Sequence, residues 1–201
     1  VDEIDVTEFE ALRQHLNSKR KPDQAKLTFL PLLITALART LKDFPQCNAT
    51  YDAEREVVVR HQALHVGIAT QTDDGLKVPV IRQAQSKDLW QLAEEVVELS
   101  TLARNGKATK QQLTGSTITI TSLGALGGIV TTPVINAPEV GIIGVNKAVD
   151  RPVVKDGDIV VRRMMNLSVS FDHRFVDGYD AADMVQTIKG LIEYPATMFI
   201  P

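Results

Sequence analysis

The chain has few of the features that mark specialised classes of protein. Its 201 residues include one cysteine, Cys47, so an intrachain disulfide and a zinc site made of cysteines are both excluded. The net charge of -3 gives no basic excess for nucleic-acid binding. No apolar run approaches the roughly 20 residues that span a membrane, and nothing resembles a signal peptide. The sequence therefore predicts no metal, nucleic-acid or membrane partner.

What is present fits one globular domain. Hydrophobic residues make up 44% of the chain and charged residues 23%, which is an ordinary balance for a domain with a substantial core. We find no internal repeat and no linker, so residues 1–201 are predicted to form a single domain. The chain opens on a segment that is already patterned, 1–4, which predicts that an upstream part of the protein is missing.

Hydrophobic periodicity predicts a mixture of helices and strands. Thr7 and Glu10 match a capping box, which predicts a helix start at Thr7. Pro79 cannot donate to a ladder, so the segment around it is predicted to lie at an edge or a strand end. Asp177 and Gly178 are predicted to form a sharp turn, for which glycine tolerates a positive φ. The predicted helices are 7–18, 28–43, 86–105 and one that follows Gly178, and the predicted strands are 57–59, 65–69, 76–81, 117–121, 141–149, 159–161 and 166–171, with a hairpin turn at 155–158.

His173 is the strongest candidate for a catalytic residue. Apolar and polar residues alternate over 166–171, a pattern typical of a strand with one buried face. The alternation breaks at His173, which a rigid strand would deliver into the following turn. Three residues and the pair Asp177-Gly178 then lead into a patterned helix. A lone histidine is more often structural, but this placement favours a general base.

Thr121 is the second candidate. Residues 117–121 alternate threonine with isoleucine, which predicts three hydroxyls on one face of a strand and two isoleucines on the other. The glycines of 124–128 match neither a dinucleotide-binding nor a phosphate-binding loop, so we assign them to turns or close backbone approach. The simplest interpretation of the pattern is an ordinary strand entering a flexible loop. The chemical alternative is that Thr121 donates a hydrogen bond to the oxyanion of an acyl-transfer reaction.

Four separated motifs occur in an order that resembles a known family. They are residues 74–80 (DGLKVPV), 121–124 (TSLG), 132–140 (TPVINAPEV) and 172–178 (DHRFVDG). Together they resemble the catalytic domain of the dihydrolipoamide acyltransferase component of 2-oxo acid dehydrogenase complexes, over the whole chain. The shorter His-x-x-x-Asp-Gly signature is shared with chloramphenicol acetyltransferases, so it does not by itself distinguish the two families. The members that look most similar are bacterial branched-chain acyltransferases, with acetyltransferases as the alternative, on the basis of residues 44–52, 123–130 and 164–168.

The resemblance implies a fold and a set of partners. The fold would be α/β (α+β), a mixed β-sheet flanked by helices like that of chloramphenicol acetyltransferase, and the chain would form a homotrimer. Coenzyme A would enter an intersubunit channel as a substrate, and a lipoyl group carried on a separate lipoyl domain would enter from the other end. The trimers would build a cubic or dodecahedral core for the dehydrogenase and dihydrolipoamide dehydrogenase components, in the bacterial cytoplasm or, in a eukaryote, the mitochondrial matrix.

The resemblance also implies roles for individual residues. His173 would be the general base, and Thr121 of the neighbouring subunit would stabilise the oxyanion. Asp177 would orient or support the site rather than relay charge. The family's N-terminal arm and its lipoyl and subunit-binding domains are expected to be absent from this sequence. The expected contacts with substrate or coenzyme are Ser122, Gln71 and Ser100. At the position of Gln71, many relatives carry aspartate.

Other classes of function stay open. The chain would be a non-catalytic assembly core if the motif histidine were lost, but His173 is present. It would be a free-standing acetyltransferase for a small hydroxyl compound if the lipoamide-type motifs were absent, and 74–80 and 132–140 argue against that. The other histidines lack a partner set for a metal, so a structural role is predicted for His15, His61 and His65.

Overall fold

The computed structural model describes residues 1–200, without the side chain of Ala125. Within these residues the chain forms four α-helices and ten β-strands, joined by short turns of 3-10 helix. The helices are α1 (Thr7–Ser18), α2 (Phe29–Thr40), α3 (Leu89–Arg104) and α4 (Gly178–Glu193), and the strands are β1 (Asp2–Asp5), β2 (Ala49–Asp52), β3 (Val57–Arg60), β4 (Val66–Thr72), β5 (Gly75–Lys77), β6 (Val80–Ile81), β7 (Ile118–Ser122), β8 (Gly141–Val145), β9 (Val149–Lys155) and β10 (Asp158–Phe171).

Eight of the strands form one mixed sheet. Its main order is β1-β10-β8-β7-β4-β5, with β6 paired to β4 and β9 paired to β10. The strands β4, β7 and β8 are parallel to one another, whereas β10 runs antiparallel to β8. A separate two-stranded hairpin consists of β2 and β3. Helices pack against the sheet, with α3 on β4 and α4 on β1 and β10. The predicted mixed sheet flanked by helices is therefore confirmed.

The core lies between the sheet and the helices. The helix α2 is its most buried helix and packs against both α3 and α4. Its side chains at Leu32, Leu33, Ile34 and Leu37 are completely buried. An apolar helix with neighbours on more than one side was predicted from its sequence, because it lacks the polar stripe of a surface helix. No helix in the part of the chain described is long and apolar enough to cross a membrane.

The predicted capping box at Thr7 is wrong. Thr7 is the first helical residue of α1, and its hydroxyl donates to the Asp5 carboxylate over 2.6 Å. The start of α1 is instead fixed by β1, which pairs with β10 immediately before it. A complete capping box occurs at α3, where the Asp88 carboxylate accepts from the Gln91 amide and the Gln91 side chain accepts from the Asp88 amide.

Two strand and turn predictions also need correction. The strand predicted at 76–81 is interrupted at Pro79 and divides into β5 and β6. Gly178 is not a turn residue with positive φ, since it begins α4. The hairpin at 155–158 is confirmed, and its two central residues, Asp156 and Gly157, have the positive φ of a type I′ turn.

Candidate active site

The turn that carries His173 is held by one ion pair between the residues on either side of it. His173 follows the end of β10, and its side chain is exposed. Arg174 forms a forked pair with Asp172, from Nε to Oδ1 over 3.0 Å and from a terminal nitrogen to Oδ2 over 2.6 Å. Hydrogen bonding to Arg174 lowers the pKa of the Asp172 carboxyl, so this carboxyl stays ionised and keeps the pair. The pair joins the two neighbours of His173 and so restrains the backbone that carries the imidazole.

A small aromatic platform supports the same turn. The Arg174 guanidinium lies 4.7 Å from the ring centroid of Tyr51 and 4.9 Å from that of Phe175. The two rings are in contact, with centroids 4.9 Å apart. The Asp172 amide donates to the Val140 carbonyl over 2.8 Å. The hairpin β2–β3 and the loop before β8 therefore both position the His173 turn.

Asp177 caps a helix. Its carboxylate accepts a hydrogen bond from the Asp180 amide over 2.9 Å at the start of α4. Within residues 1–200, neither carboxylate oxygen is hydrogen-bonded to His173. This placement agrees with the supporting role predicted for Asp177 and gives no path for a charge relay inside one chain.

Thr121, Ser122 and Gln71 lie together at the carboxyl ends of two parallel strands. Thr121 pairs with Ala69 of β4, so Gln71 lies two residues further along the adjacent strand. The Ser122 hydroxyl accepts from the Gly124 amide over 3.2 Å, and Gln71 is exposed. Ligands of open sheets with parallel strands bind at such carboxyl ends. The structure thus brings three of the predicted site residues to the same end of the parallel strands.

Ser100 belongs to α3 rather than to these strands. It is 7% exposed and is enclosed where α3 packs against the rest of the fold. Its burial leaves almost no surface for a ligand, so the prediction of a coenzyme contact at Ser100 is not supported by its position. Its spacing along α3 places it on the packed face with Val96 and Ala103, which is the reason for the burial.

His173 and Thr121 lie at opposite ends of the strands of the sheet, because β10 runs antiparallel and β7 parallel to β8. Both are placed by register against β8, where Phe171 pairs with Gly141 and Thr121 pairs with Gly144. His173 is two residues beyond Phe171, so it is about five residues, or about 16 Å, from Thr121 along the strand direction. Two strand spacings add about 10 Å across the sheet. The base and the oxyanion donor of one chain therefore cannot reach the same carbonyl group.

A cavity of about 550 Å³ opens beside Ser122. It is bounded by α1, the loop after α1, and the ends of β7 and β8. Glu10 is the one acidic residue in its lining, and it forms an ion pair with Arg13. The lysines of the lining make no ion pair within the described chain. Arg163 of the lining is likewise paired, with Asp150, so the unpaired positive charge of the cavity wall comes from Lys26 and Lys147.

Sequence reasoning did not identify these basic residues. Arg13, Lys26 and Lys147 come from three separated segments, and no local motif joins them. The predicted strand at 141–149 includes Lys147, whereas the observed strand β8 ends at Val145, so the prediction hid the position of Lys147 just beyond the carboxyl end of a parallel strand.

Two further histidines are hydrogen-bonded within the fold. The His61 ring nitrogen Nε2 lies 2.8 Å from the Thr50 hydroxyl, and His65 Nδ1 accepts from the Gln83 amide over 3.0 Å. Burial lowers the pKa of both imidazoles. In the described part of the chain no group of three or more potential ligands is arranged to hold a metal ion.

Comparison of sequences shows a family match over nearly the whole chain. Residues 1–200 match the family described as 2-oxoacid dehydrogenases acyltransferase (catalytic domain). The lipoamide acyltransferase component of the branched-chain alpha-keto acid dehydrogenase complex of Pseudomonas aeruginosa is 62% identical over 200 residues, which is 100% of this chain and 47% of that protein. The acetyltransferase component of the pyruvate dehydrogenase complex of Staphylococcus epidermidis is 40% identical, over 46% of its length. The chain thus spans about half the length of the curated relatives it matches.

Comparison of structures gives the same result. The dihydrolipoamide acetyltransferase of Azotobacter vinelandii superposes with a TM-score of 0.93 at 39% identity, over 99% of this chain and 82% of that one. Work on that enzyme concerns a serine, a histidine and an asparagine of its catalytic mechanism, which have the same mutual spacing as Thr121, His173 and Asp177. A chloramphenicol acetyltransferase superposes with a TM-score of 0.63 at 14% identity, which shows a shared fold.

Proposed function

Because the chain belongs to the family of 2-oxoacid dehydrogenase acyltransferase catalytic domains, we propose that it transfers a branched-chain acyl group between S-acyl-dihydrolipoamide and coenzyme A. The observation that carries the proposal is the 62% identity, over the full chain, to a branched-chain lipoamide acyltransferase component. Acetyltransferase components are 40% identical over the same span, which makes acetyl transfer the second candidate.

The residues at hand support an acid–base mechanism. The neutral His173 imidazole accepts the proton of the coenzyme A thiol as the sulfur attacks the thioester carbonyl. An ordinary thiol has a pKa of about 8.5 and an ordinary imidazole one of about 6.5, so this transfer is feasible near neutral pH. The Thr121 hydroxyl donates a hydrogen bond to the oxyanion of the tetrahedral intermediate. Collapse breaks the bond to the dihydrolipoamide sulfur, and His173 returns the proton to that thiolate.

The cationic cavity beside Ser122 suits the acyl acceptor. Coenzyme A carries several phosphate charges at one end and its thiol at the other. Lys26 and Lys147 present charges that no acidic residue of the described chain neutralises, and a phosphate is a strong partner for them. The cavity adjoins the end of β7, so a phosphate group held there leaves the long arm of the coenzyme directed towards Thr121.

The separation of His173 and Thr121 supports a site shared between subunits. A homotrimer completes three sites if the base of each chain meets the oxyanion donor of the next. The loop after β7 carries exposed apolar side chains, including Leu126 at 89% and Val134 at 86%. Exposed apolar area of this kind is typical of a protein interface. The proposed trimer buries this loop between neighbouring chains.

The wider assembly is part of the same proposal. The cubic core of a pyruvate dehydrogenase multienzyme complex superposes on this chain with a TM-score of 0.93 at 40% identity. We propose that the trimers build such a core in the bacterial cytoplasm, that dehydrogenase and dihydrolipoamide dehydrogenase components bind to it, and that a separate lipoyl domain delivers the acyl group. No metal takes part in the proposed reaction.

The experiment measures turnover with acetyl-, isobutyryl- and isovaleryl-dihydrolipoamide at saturating coenzyme A. The proposal predicts a higher kcat/KM for the two branched substrates. A pocket distinguishes one methylene by only about 1–3 kcal/mol, so the preference should be graded. Equal or better use of the acetyl substrate would assign the chain to the second candidate. No transfer with any of the three would leave the assembly core as its function.

A further inference from the structure

Glu139 is a buried carboxyl group with an uneven set of partners. It is 4% exposed, and no cation forms an ion pair with it within residues 1–200. Its Oε1 atom accepts hydrogen bonds from three neutral donors, while its Oε2 atom is buried without a hydrogen-bond partner in the same residues. The proposed chemistry of acyl transfer does not use this carboxyl. The donors are the Ser116 hydroxyl, the Thr119 hydroxyl at 2.8 Å and the Asn136 amide at 2.8 Å.

One side of this network reaches the strand of Thr121. Thr119 lies two residues before Thr121 in β7, so both side chains are on the same face of the strand. Space for the network is kept by Gly67 in the neighbouring strand. A Cβ atom at Gly67 would lie 2.6 Å from the Thr119 hydroxyl oxygen and 3.2 Å from the Ser116 Cβ. The glycine therefore lets the two hydroxyls approach the carboxyl.

The other side reaches the turn of His173. Glu139 forms an isolated β-bridge with Thr50 of β2. The carbonyl before it, of Pro138, accepts from the amide of Tyr51, whose ring supports Arg174. The carbonyl after it, of Val140, accepts from the Asp172 amide over 2.8 Å. The backbone on both sides of Glu139 thus holds the residues that position His173.

We propose that Glu139 is a positioning residue, which fixes the strand of Thr121 and the turn of His173 in one chain relative to each other. The proposal rests on the proposed function, because acyl transfer gives both ends their roles. In a trimer with shared sites, His173 and Thr121 of one chain serve two different active sites. Glu139 therefore links the geometry of neighbouring sites through the interior of a single chain.

The test removes one hydroxyl from the network. Thr119→Val keeps the size and burial of the side chain but deletes the donor to Glu139. The matched control is Thr40→Val, since Thr40 is equally buried and its hydroxyl donates to the Ala36 carbonyl inside α2, away from the network. We expect Thr119→Val to lower kcat about 10- to 100-fold with the KM for coenzyme A within about twofold, because small displacements in a site cost this much. Thr119→Ser should restore most of the rate.

A double variant separates positioning from general loss of stability. On a Thr121→Ala background the Thr119→Val change should cost less than about threefold, because the hydroxyl that it positions is already gone. A full additional loss on that background would overturn the proposal. An effect of Thr40→Val equal to that of Thr119→Val would overturn it as well.

Amide hydrogen exchange tests the link without enzyme activity. Thr119→Val should speed exchange of the Asp172 amide at least about tenfold more than Thr40→Val does, because loss of the network loosens the Val140 carbonyl that holds it. Unchanged Asp172 protection would overturn the inference even in an active enzyme. If the wild-type protein transfers no acyl group, the proposed function fails, whereas the exchange result still decides whether Glu139 joins the two segments.

Discussion

His173 and Thr121 lie at opposite ends of the strands of one sheet, with β8 between the two strands that carry them. Neither side chain can move about 16 Å along a hydrogen-bonded strand without unfolding the sheet. Each is therefore a half-site, and the behaviour of variants at the two positions tests both the chemistry and the assembly.

The first prediction concerns the base. His173→Ala should lower kcat about 10²–10⁴-fold, since it removes the acceptor of the thiol proton, while circular dichroism and the trimeric state stay unchanged. The matched control is His15→Ala, an exposed histidine of α1, which should keep the wild-type rate. Turnover of folded His173→Ala within a few-fold of wild type would show that another group is the base.

The second prediction concerns the oxyanion donor. Thr121→Ala should lower kcat about 10²–10³-fold with little change in the KM for coenzyme A, because the hydrogen bond forms mainly in the transition state. Thr121→Ser keeps a hydroxyl and should retain much of the rate. Steady-state kinetics of the two variants test this assignment. A similar loss of kcat in Thr121→Ala and Thr121→Ser would contradict it.

The third prediction concerns the shared site. His173→Ala chains and Thr121→Ala chains should regain activity when they are mixed under conditions of subunit exchange. In random trimers from an equal mixture, about one quarter of the interfaces combine an intact base with an intact donor, so the rate should approach about a quarter of wild type. Hybrid trimers verified by native mass spectrometry that show no recovery would rule out the shared site.

The fourth prediction concerns the cationic cavity. Lys26→Glu and Lys147→Glu should each raise the KM for coenzyme A at least about tenfold and change kcat little, because binding of the phosphates is weakened equally in ground and transition states. The rise should shrink as salt is added, since the interaction is screened. Lys19→Glu is the control, because Lys19 is exposed and does not line the cavity, and it should leave the KM unchanged.

The fifth prediction concerns the pH dependence of stability. Burial raises the pKa of the Glu139 carboxyl, and its nearest partners are the neutral groups of Ser116, Thr119 and Asn136. The folded state then binds this proton more tightly than the unfolded chain, whose glutamates titrate near about 4.3. The stabilisation by the protonated carboxyl is complete below that pH and is lost as the pH rises through the folded-state value.

Glu139→Gln has no such titration. The free energy of unfolding of the wild type, relative to that of Glu139→Gln, should therefore fall as the pH is raised above about 4.3. Denaturant unfolding at fixed protein concentration measures this difference. The acids with lowered pKa, such as Asp5 and Asp172, act in the opposite direction but equally in both proteins. A difference that stays constant with pH would contradict the prediction.

Much of the fold follows from local pattern, and β10 shows where local pattern ends. The sequence predicts two separate strands, 159–161 and 166–171. In the structure they form one strand, since Arg162 pairs with Asp5 and Arg163 with Asp150. These partners are distant in sequence or in a neighbouring strand, and no periodicity within the segment identifies them.

The candidate site shows the same limit. The placement of His173 was predicted because strand, turn and helix follow one another within a few residues. The cavity residues Arg13, Lys26 and Lys147 meet only after the sheet has formed. The partners of Glu139 likewise come from β7, from the segment just before it and from the loop before β8, so their convergence depends on the pairing of β7 with β8. Local motifs identify the reacting groups, while tertiary structure selects the groups that bind and position.

Because the two half-sites of a chain belong to different active sites, the number of complete active sites depends on whether the chains form a closed ring. A linear row of chains has one incomplete base and one incomplete donor at its ends, so a dimer completes a single site for two chains. A closed ring completes one site for every chain. The specific activity per chain would then double on closure of a dimer into a trimer, although no residue has changed. Dilution that dissociates the trimers should lower the specific activity in proportion to the fraction of closed rings lost. The specific activity would therefore measure the state of assembly.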